Sequence, residues 1–151
     1  MKAKNSASGA VVTMERTFNA PLKLVWEAWI DPQHISQWWG PQGMETTILS
    51  HDFKVGGTWK YSMQMPDGNA FISEGIYQEI VTFEKIITSA DFKPMTQGVE
   101  LQMLFESLGE ETKFTFKVIH ASEAYRIEQE KMGIYNGWGS VFDRLATFLS
   151  A

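Results

Sequence analysis

The chain has 151 residues, 44% of them apolar and 13% aromatic, a formal net charge of −5 and no cysteine, which removes thiol catalysis, disulfides and thiolate metal sites. A chain this long buries roughly 70% of the surface its unfolded form exposes, so it needs no metal or disulfide staple to fold. The acidic balance, without clustered Lys and Arg, argues against a nucleic-acid partner, and no apolar run nears the ~20 residues of a spanning helix, so no membrane partner and a cytoplasmic location are expected.

Residues 1–10 are small and polar and are expected to form a disordered tail ahead of one domain over residues 11–151. Val11 to Phe18 reads as a strand ended by Asn19-Ala20-Pro21, and Leu22, Val25, Trp26 and Trp29 then recur at helical spacing. Asp31-Pro32 caps and starts a second short helix to about Trp38, broken by Trp39-Gly40-Pro41. From Glu45 the period becomes two. Trp59, Tyr61, Met63 and Met65 share one face of a strand whose other face is polar, and Pro66-Asp67-Gly68 turns the chain into a strand over Asn69–Ile80. Strands follow over about Lys85–Phe92, Val99–Ser107 and Thr112–His120, the last two joined by a hairpin at Leu108-Gly109-Glu110-Glu111. Met103 and Phe105 line one face of the first of that pair, and Phe114, Phe116 and Val118 one face of the second. Ser122 caps a short helix to about Lys131, a kink is expected near Gly133, and Trp138, Val141, Phe142, Leu145 and Leu149 form the stripe of a long final helix. Only that helix can cover so long an apolar sheet face, so the pattern predicts an α+β domain. In it a curved antiparallel sheet of about seven strands wraps around the C-terminal helix, with two short helices after the first strand.

The candidate polar groups are scattered. His34, His51 and His120 lie apart and have no ligand spacing, so no metal site is expected and each reads as a surface or hydrogen-bonded residue. His51 and Asp52, as strand neighbours, point to opposite faces. Glu110-Glu111 and Glu128-Gln129-Glu130 read as solvated charge, and Gly56-Gly57 as a turn, so no catalytic residue is assigned. Arg16 shares strand parity with Met14 and Phe18, which aims its guanidinium at the apolar side, where Glu79, in phase with Phe71 and Tyr77, is a candidate partner; the alternative is a rim position reaching water. Met63, Met65, Met103 and Met132 suit either an adjustable cavity or an ordinary core. Of Trp38 and Trp39, one is expected under the first helix and the other at the surface or cavity mouth.

Ala20-Pro21, Val25-Trp26-Glu27-Ala28-Trp29, Asp31-Pro32 and Trp38-Trp39-Gly40-Pro41 together resemble the opening signature of bacterial homologues of the heat-shock-protein-90 ATPase activator. Asp52-Phe53-Lys54-Val55-Gly56-Gly57-Thr58-Trp59 is similar to that family's aspartate, double-glycine and tryptophan element. Gly75-Ile76-Tyr77-Gln78-Glu79-Ile80 and Gly137-Trp138 with Phe142, Leu145 and Leu149 match in order and spacing, over about residues 12–150.

The resemblance implies the START-like, birch-pollen-allergen-like helix-grip fold of the SRPBCC superfamily, with a cavity between sheet and C-terminal helix. It implies binding of an apolar small molecule of unknown identity, without a cofactor, in a cavity of at least ~300 Å³. The expected lining is Trp59, Tyr61, Met63, Met65 and Tyr77 from the first strands, Met103, Phe105 and Phe116 from the later ones, and Trp138 and Phe142 from the helix. A chaperone-interacting module is the alternative. A cyclase-like enzyme is a second, and would need Arg16, Glu79 and the Tyr61 and Tyr77 hydroxyls to converge in the cavity. A monomer and a dimer are both compatible with the sequence.

Overall fold

The computed structural model describes residues 3–40, 43–64, 67–93 and 96–150. The chain runs through β1 (Ala3–Ser8), β2 (Val11–Phe18), α1 (Leu22–Ile30), α2 (Pro32–Trp38), β3 (Glu45–His51), β4 (Thr58–Gln64), β5 (Ala70–Val81), β6 (Lys85–Lys93), β7 (Thr96–Ser107), β8 (Thr112–Ile119), α3 (Glu123–Lys131) and α4 (Ile134–Leu149). The strands form one open antiparallel sheet in the order β1-β2-β8-β7-β6-β5-β4-β3, curved around α4, so the helix-grip α+β fold is the observed architecture. No helix among the described residues is long and apolar enough to cross a membrane.

Local chemistry sets the boundaries. Pro21 precedes α1, and its carbonyl accepts from the amides of Leu24 and Val25. Asp31 Oδ1 accepts from the Gln33 amide at 2.9 Å and caps α2, while Ser122 Oγ accepts from the Tyr125 amide and caps α3. Gly133 sits at φ +90°, a left-handed conformation that suits glycine, and splits the C-terminal helical segment into α3 and α4. Strict alternation then builds the core. Val12, Met14, Arg16 and Phe18 of β2 lie opposite Val118, Phe116, Phe114 and Thr112 of β8, all buried on the concave face against Phe142 and Leu145 of α4.

Two expectations are corrected. Residues 3–8 of the expected tail are instead strand β1, paired residue for residue with β2 from Ala3↔Arg16 to Ser8↔Val11 through a turn with Gly9 at φ +57°. Every β1 side chain is exposed, so the strand is held by its ladder rather than by an apolar face, and alternation gives no sign of it. Glu79, expected to face inward with Tyr77, faces outward. The register shifts between Tyr77↔Thr88 and Glu79↔Ile87, so the extra residue Gln78 reverses the parity, and Glu79 pairs with Lys85 on the convex side.

Near that bulge the β5–β6 ladder is tight. A Cβ at Gly75 would stand 1.9 Å from the Ser89 carbonyl oxygen and 2.9 Å from Trp59 Cζ2. A backbone carbonyl cannot swing aside, so Gly75→Ala is expected to cost at least ~2 kcal/mol, within the usual range for overpacking, and to lower the urea midpoint accordingly. An unchanged midpoint would show that the two strands can separate here without loss.

Candidate functional site

The concave face divides into a filled half and an open half. Under α1 and α2 the indoles of Trp29, Trp38, Trp39 and Trp59 pack edge to face, with Trp29 and Trp38 centroids 4.6 Å apart and Trp39 and Trp59 5.7 Å apart. Two of these indole N–H groups are satisfied locally: Trp38 Nε1 donates to the Ala28 carbonyl at 2.9 Å, and Trp59 Nε1 to Thr88 Oγ1 at 2.8 Å, while the buried Trp29 Nε1 finds no partner among the described residues. His51 closes this half. Its Nε2 lies 2.8 Å from the Ile30 carbonyl, which can only accept, so Nε2 carries the proton and Nδ1 accepts from the Tyr61 hydroxyl at 2.8 Å. Burial, with help from Tyr77, pushes the Tyr61 hydroxyl pKa far above its ordinary value, so it remains a donor. The void left among Trp29, Trp59, Tyr61, Tyr77, Leu101 and Met103 is about 20 Å³, too small for an organic ligand.

The open half is a cavity of about 200 Å³ between the sheet and the α3–α4 elbow. Trp39, Gly40 and Met44 line it from the α2–β3 connection, and Met63, Phe71, Phe92 and Val118 from β4, β5, β6 and β8. The helical side supplies Gln129, Met132 and Gly133 from the elbow and Ile134, Gly137, Trp138 and Val141 from α4. Among the described residues every side chain in that wall is apolar except the Gln129 carboxamide. Arg144, one turn beyond Val141, donates from Nη1 to the carbonyls of Trp39, Gly40 and Met44 at 3.1, 3.1 and 3.2 Å, and from Nη2 to Gln37 at 3.0 Å, which fixes the connecting loop as the cavity's wall. A second hollow, bordered by Gln78, Ser89, Asp91, Glu100 and His120, is an open polar groove, and Asp91 Oδ1 there already accepts from the Gly98 amide at 2.7 Å.

Of the residues expected to line a cavity, Met63 and Trp138 do so. Trp59, Tyr61, Tyr77 and Met103 surround the small void in the filled half, and Phe105, Phe116 and Phe142 are buried core. Met65 lies outside the described residues. Trp38 packs under α1 as expected, but Trp39 is 5% exposed and forms an inner wall rather than a surface position. The cavity falls short of the expected ~300 Å³ because that indole occupies the middle of the concave face. Phe71, Met44, Phe92 and Gln129 were not foreseen. Phe71 shares parity with Tyr77, and that was its only sequence signal.

Arg16, Glu79 and the Tyr61 and Tyr77 hydroxyls do not converge in the cavity. Arg16 is buried, but away from the cavity: its Nη1 donates to Asn5 Oδ1 at 3.0 Å and the Glu15 carbonyl at 2.8 Å, and its guanidinium lies over the Phe142 ring. Burial lowers its pKa from the ordinary arginine value, and Asp143 opposes that shift. Glu79 is on the opposite face of the sheet, and the Tyr61 hydroxyl is engaged by His51. No group of three or more metal-ligating side chains occurs among the described residues.

The sequence model of the family described as activator of Hsp90 ATPase homolog 1-like protein matches residues 19–150. A solved structure from Arthrobacter aurescens superposes with a TM-score of 0.89 at 23% identity, covering 97% of this chain and 91% of that one. One from Mycobacterium smegmatis gives 0.86 at 21% identity over 99% and 97%. The AHSA1-like protein from Aeromonas hydrophila gives 0.75 at 22% identity over 93% and 92%. At these identities the structures establish a shared fold. No curated protein matches the chain significantly in sequence.

The His51 bonds imply a pH dependence. Burial holds the His51 pKa below its ordinary value of 6.5, outweighing the Ile30 carbonyl and the nearby Asp31 and Asp52 charges that raise it. As pH falls below 6.5 the unfolded chain takes up a proton that the folded chain resists, so stability is full above that pH and declines below it. His120, also depressed by burial, adds to the same decline. The thermal midpoint should therefore drop between pH 7 and pH 5, with a shallower slope in His51→Gln; equal slopes would remove His51 from the explanation.

Proposed function

The chain belongs to the activator of Hsp90 ATPase homolog 1-like family, and from that membership and the apolar cavity beneath α4 we propose that it binds a hydrophobic small molecule between sheet and helix. START-like domains bind hydrophobic ligands in this space, and the same reading has the protein meet its ligand in the cytoplasm. The observation that carries the proposal is Gly137. A glycine inside a helix costs ~1 kcal/mol relative to alanine, and α4 carries this one where a Cβ would meet nothing within 4 Å, facing the cavity. A site under selection for stability alone would hold alanine or a larger apolar residue, which would raise helix propensity and fill the space. Keeping the space open suits a ligand.

Two substitutions at this position test the reading, with naphthalene as probe. Gly137→Ala should stabilise by ~0.5–1 kcal/mol, which raises the thermal midpoint by about 1–4 °C. Gly137→Leu should also fold but lose at least about tenfold in naphthalene affinity, because its side chain occupies the ligand's volume. Failure of the wild-type protein to bind any compact apolar probe, or undiminished binding by Gly137→Leu, would defeat the proposal.

One observation favours a chaperone-contact module as second reading. Phe83 sits at φ +63°, a conformation costly for a bulky side chain, at the tip of the β5–β6 hairpin, 42% exposed and with its ring centroid 5.8 Å from that of Trp26. An aromatic displayed at a strained tip suits contact with a protein surface. On this reading the protein accelerates ATP turnover by Hsp90, and Phe83→Gly, which relieves the backbone strain, abolishes the acceleration without unfolding the chain. Turnover unchanged by the wild-type protein would end the second reading.

A further inference from the structure

We propose that Trp39 is the specificity-determining residue of the cavity, a partition that restricts the ligand to a compact apolar molecule of naphthalene size; this deepens, and rests on, the ligand-binding reading above. Among the described residues Trp39 alone borders both hollows of the concave face, the open cavity and the small void in the filled half. On the cavity side its indole meets Trp138, with centroids 5.7 Å apart and planes at 87°. On the other side it meets Tyr61 at 5.1 Å and Trp59 at 5.7 Å. The two spaces are therefore the ends of one trough, closed across its middle by a single side chain.

The sheet is shaped to seat that side chain. Tyr61, Ser73 and Phe92 are cross-strand neighbours on β4, β5 and β6, and Ser73 is fully buried between the two aromatic residues. Cross-strand partners normally pack side chain on side chain, so a serine between two rings leaves a notch in the floor. Trp39 Nε1 donates into that notch, to Ser73 Oγ at 3.4 Å. The bond is long, so packing more than hydrogen bonding holds the indole there. The main chain is anchored independently: the Trp39 carbonyl accepts from Thr46 Oγ1 at 2.7 Å and from Arg144 Nη1 at 3.1 Å. Shortening the side chain thus removes the partition and leaves the α2–β3 connection in place. A dry cavity of ~150 Å³ holds benzene, so about 200 Å³ has room for one further fused ring. The void of about 20 Å³ beyond the indole joins that space only when the indole is gone.

The test measures the affinities of naphthalene, by calorimetry, and of pyrene, a flat four-ring hydrocarbon, by its own emission. The proteins are the wild type, Trp39→Leu and Trp39→Phe, with each thermal midpoint as the check on folding. The wild type should bind naphthalene and reject pyrene, although pyrene has more apolar surface to bury. The pyrene-to-naphthalene affinity ratio should rise at least about tenfold in Trp39→Leu. It should rise by a smaller factor in Trp39→Phe, which keeps more of the packing and reads the same shift should the leucine variant not fold. Met103→Ala and Ile86→Ala are the controls: both enlarge the void beyond the indole and leave the partition standing, so the ratio should hold at its wild-type value. A ratio unchanged in the folded Trp39 variants, an equal rise in the controls, or pyrene bound by the wild type as tightly as naphthalene overturns the role of Trp39 while leaving the cavity a binding site. If naphthalene fails to bind the wild type, the ligand-binding reading falls with it.

Discussion

The guanidinium of Arg144 gathers backbone carbonyls from the end of α2 and the loop behind it, and the position of the cavity depends on that gathering. The last turn of a helix leaves carbonyls without intrahelical partners, and the Gln37 carbonyl is one of them. The carbonyls of Trp39, Gly40 and Met44 follow it in the chain and converge on the same side chain. Only arginine presents five donors in a rigid planar fork, so lysine would hold fewer of these groups and hold them less firmly. A positive charge also complements the C-terminal end of the helix dipole. Because Gly137, Trp138 and Val141 precede Arg144 on the same helix, α4 supplies one wall directly and holds the facing wall through Arg144 and through the packing of Trp138 on Trp39.

The filled half of the concave face performs a different task. His51, Tyr61, Trp59 and Thr88 place polar atoms deep in the core, and each finds its partner only in the native strand register. Slipping one strand by a residue would turn these groups to the other face and leave their partners unpaired in a dry interior. The network therefore favours one alignment of β3, β4 and β6 and leaves the other half of the face free to remain open.

Most of the fold was legible because binary patterning survives in it. Trp59, Tyr61 and Met63 alternate strictly, Asp31 and Ser122 are caps by chemistry, and Gly133 interrupts a helix where glycine is the residue that does so. What escaped has physical causes. β1 buries no side chain, so it leaves no periodic trace; a bulge at Gln78 is a matter of backbone count, so the parity of Glu79 could not be known from its neighbours. The cavity was misplaced along the sheet for a related reason. Parity tells which face a residue joins, but whether that part of the face is covered by Trp39 or left open depends on where α2 ends in space, which is a tertiary fact. Gln129 looked like one more polar residue on a charged helix, because only its angular position relative to Ile127 sets it apart.

The sheet is open, so its outermost strands, β1 and β3, each turn a row of backbone donors and acceptors outward. Such rows are templates on which foreign strands can grow. β1 takes the place that β2 would otherwise hold, and β2 carries Val12, Met14 and Phe18 on one face, side chains that a docking strand could help to cover. In their place β1 offers Ala3, Lys4, Asn5, Ser6, Ala7 and Ser8, which give an incoming strand almost nothing to bury. At the far border, β3 is broken by a register shift between Ile48 and Ser50, which bends the row of amides out of line. A short polar segment at the start of the chain thus acts as a bumper, and its loss would matter less to the unfolding free energy than to how crowded molecules of this protein behave toward one another.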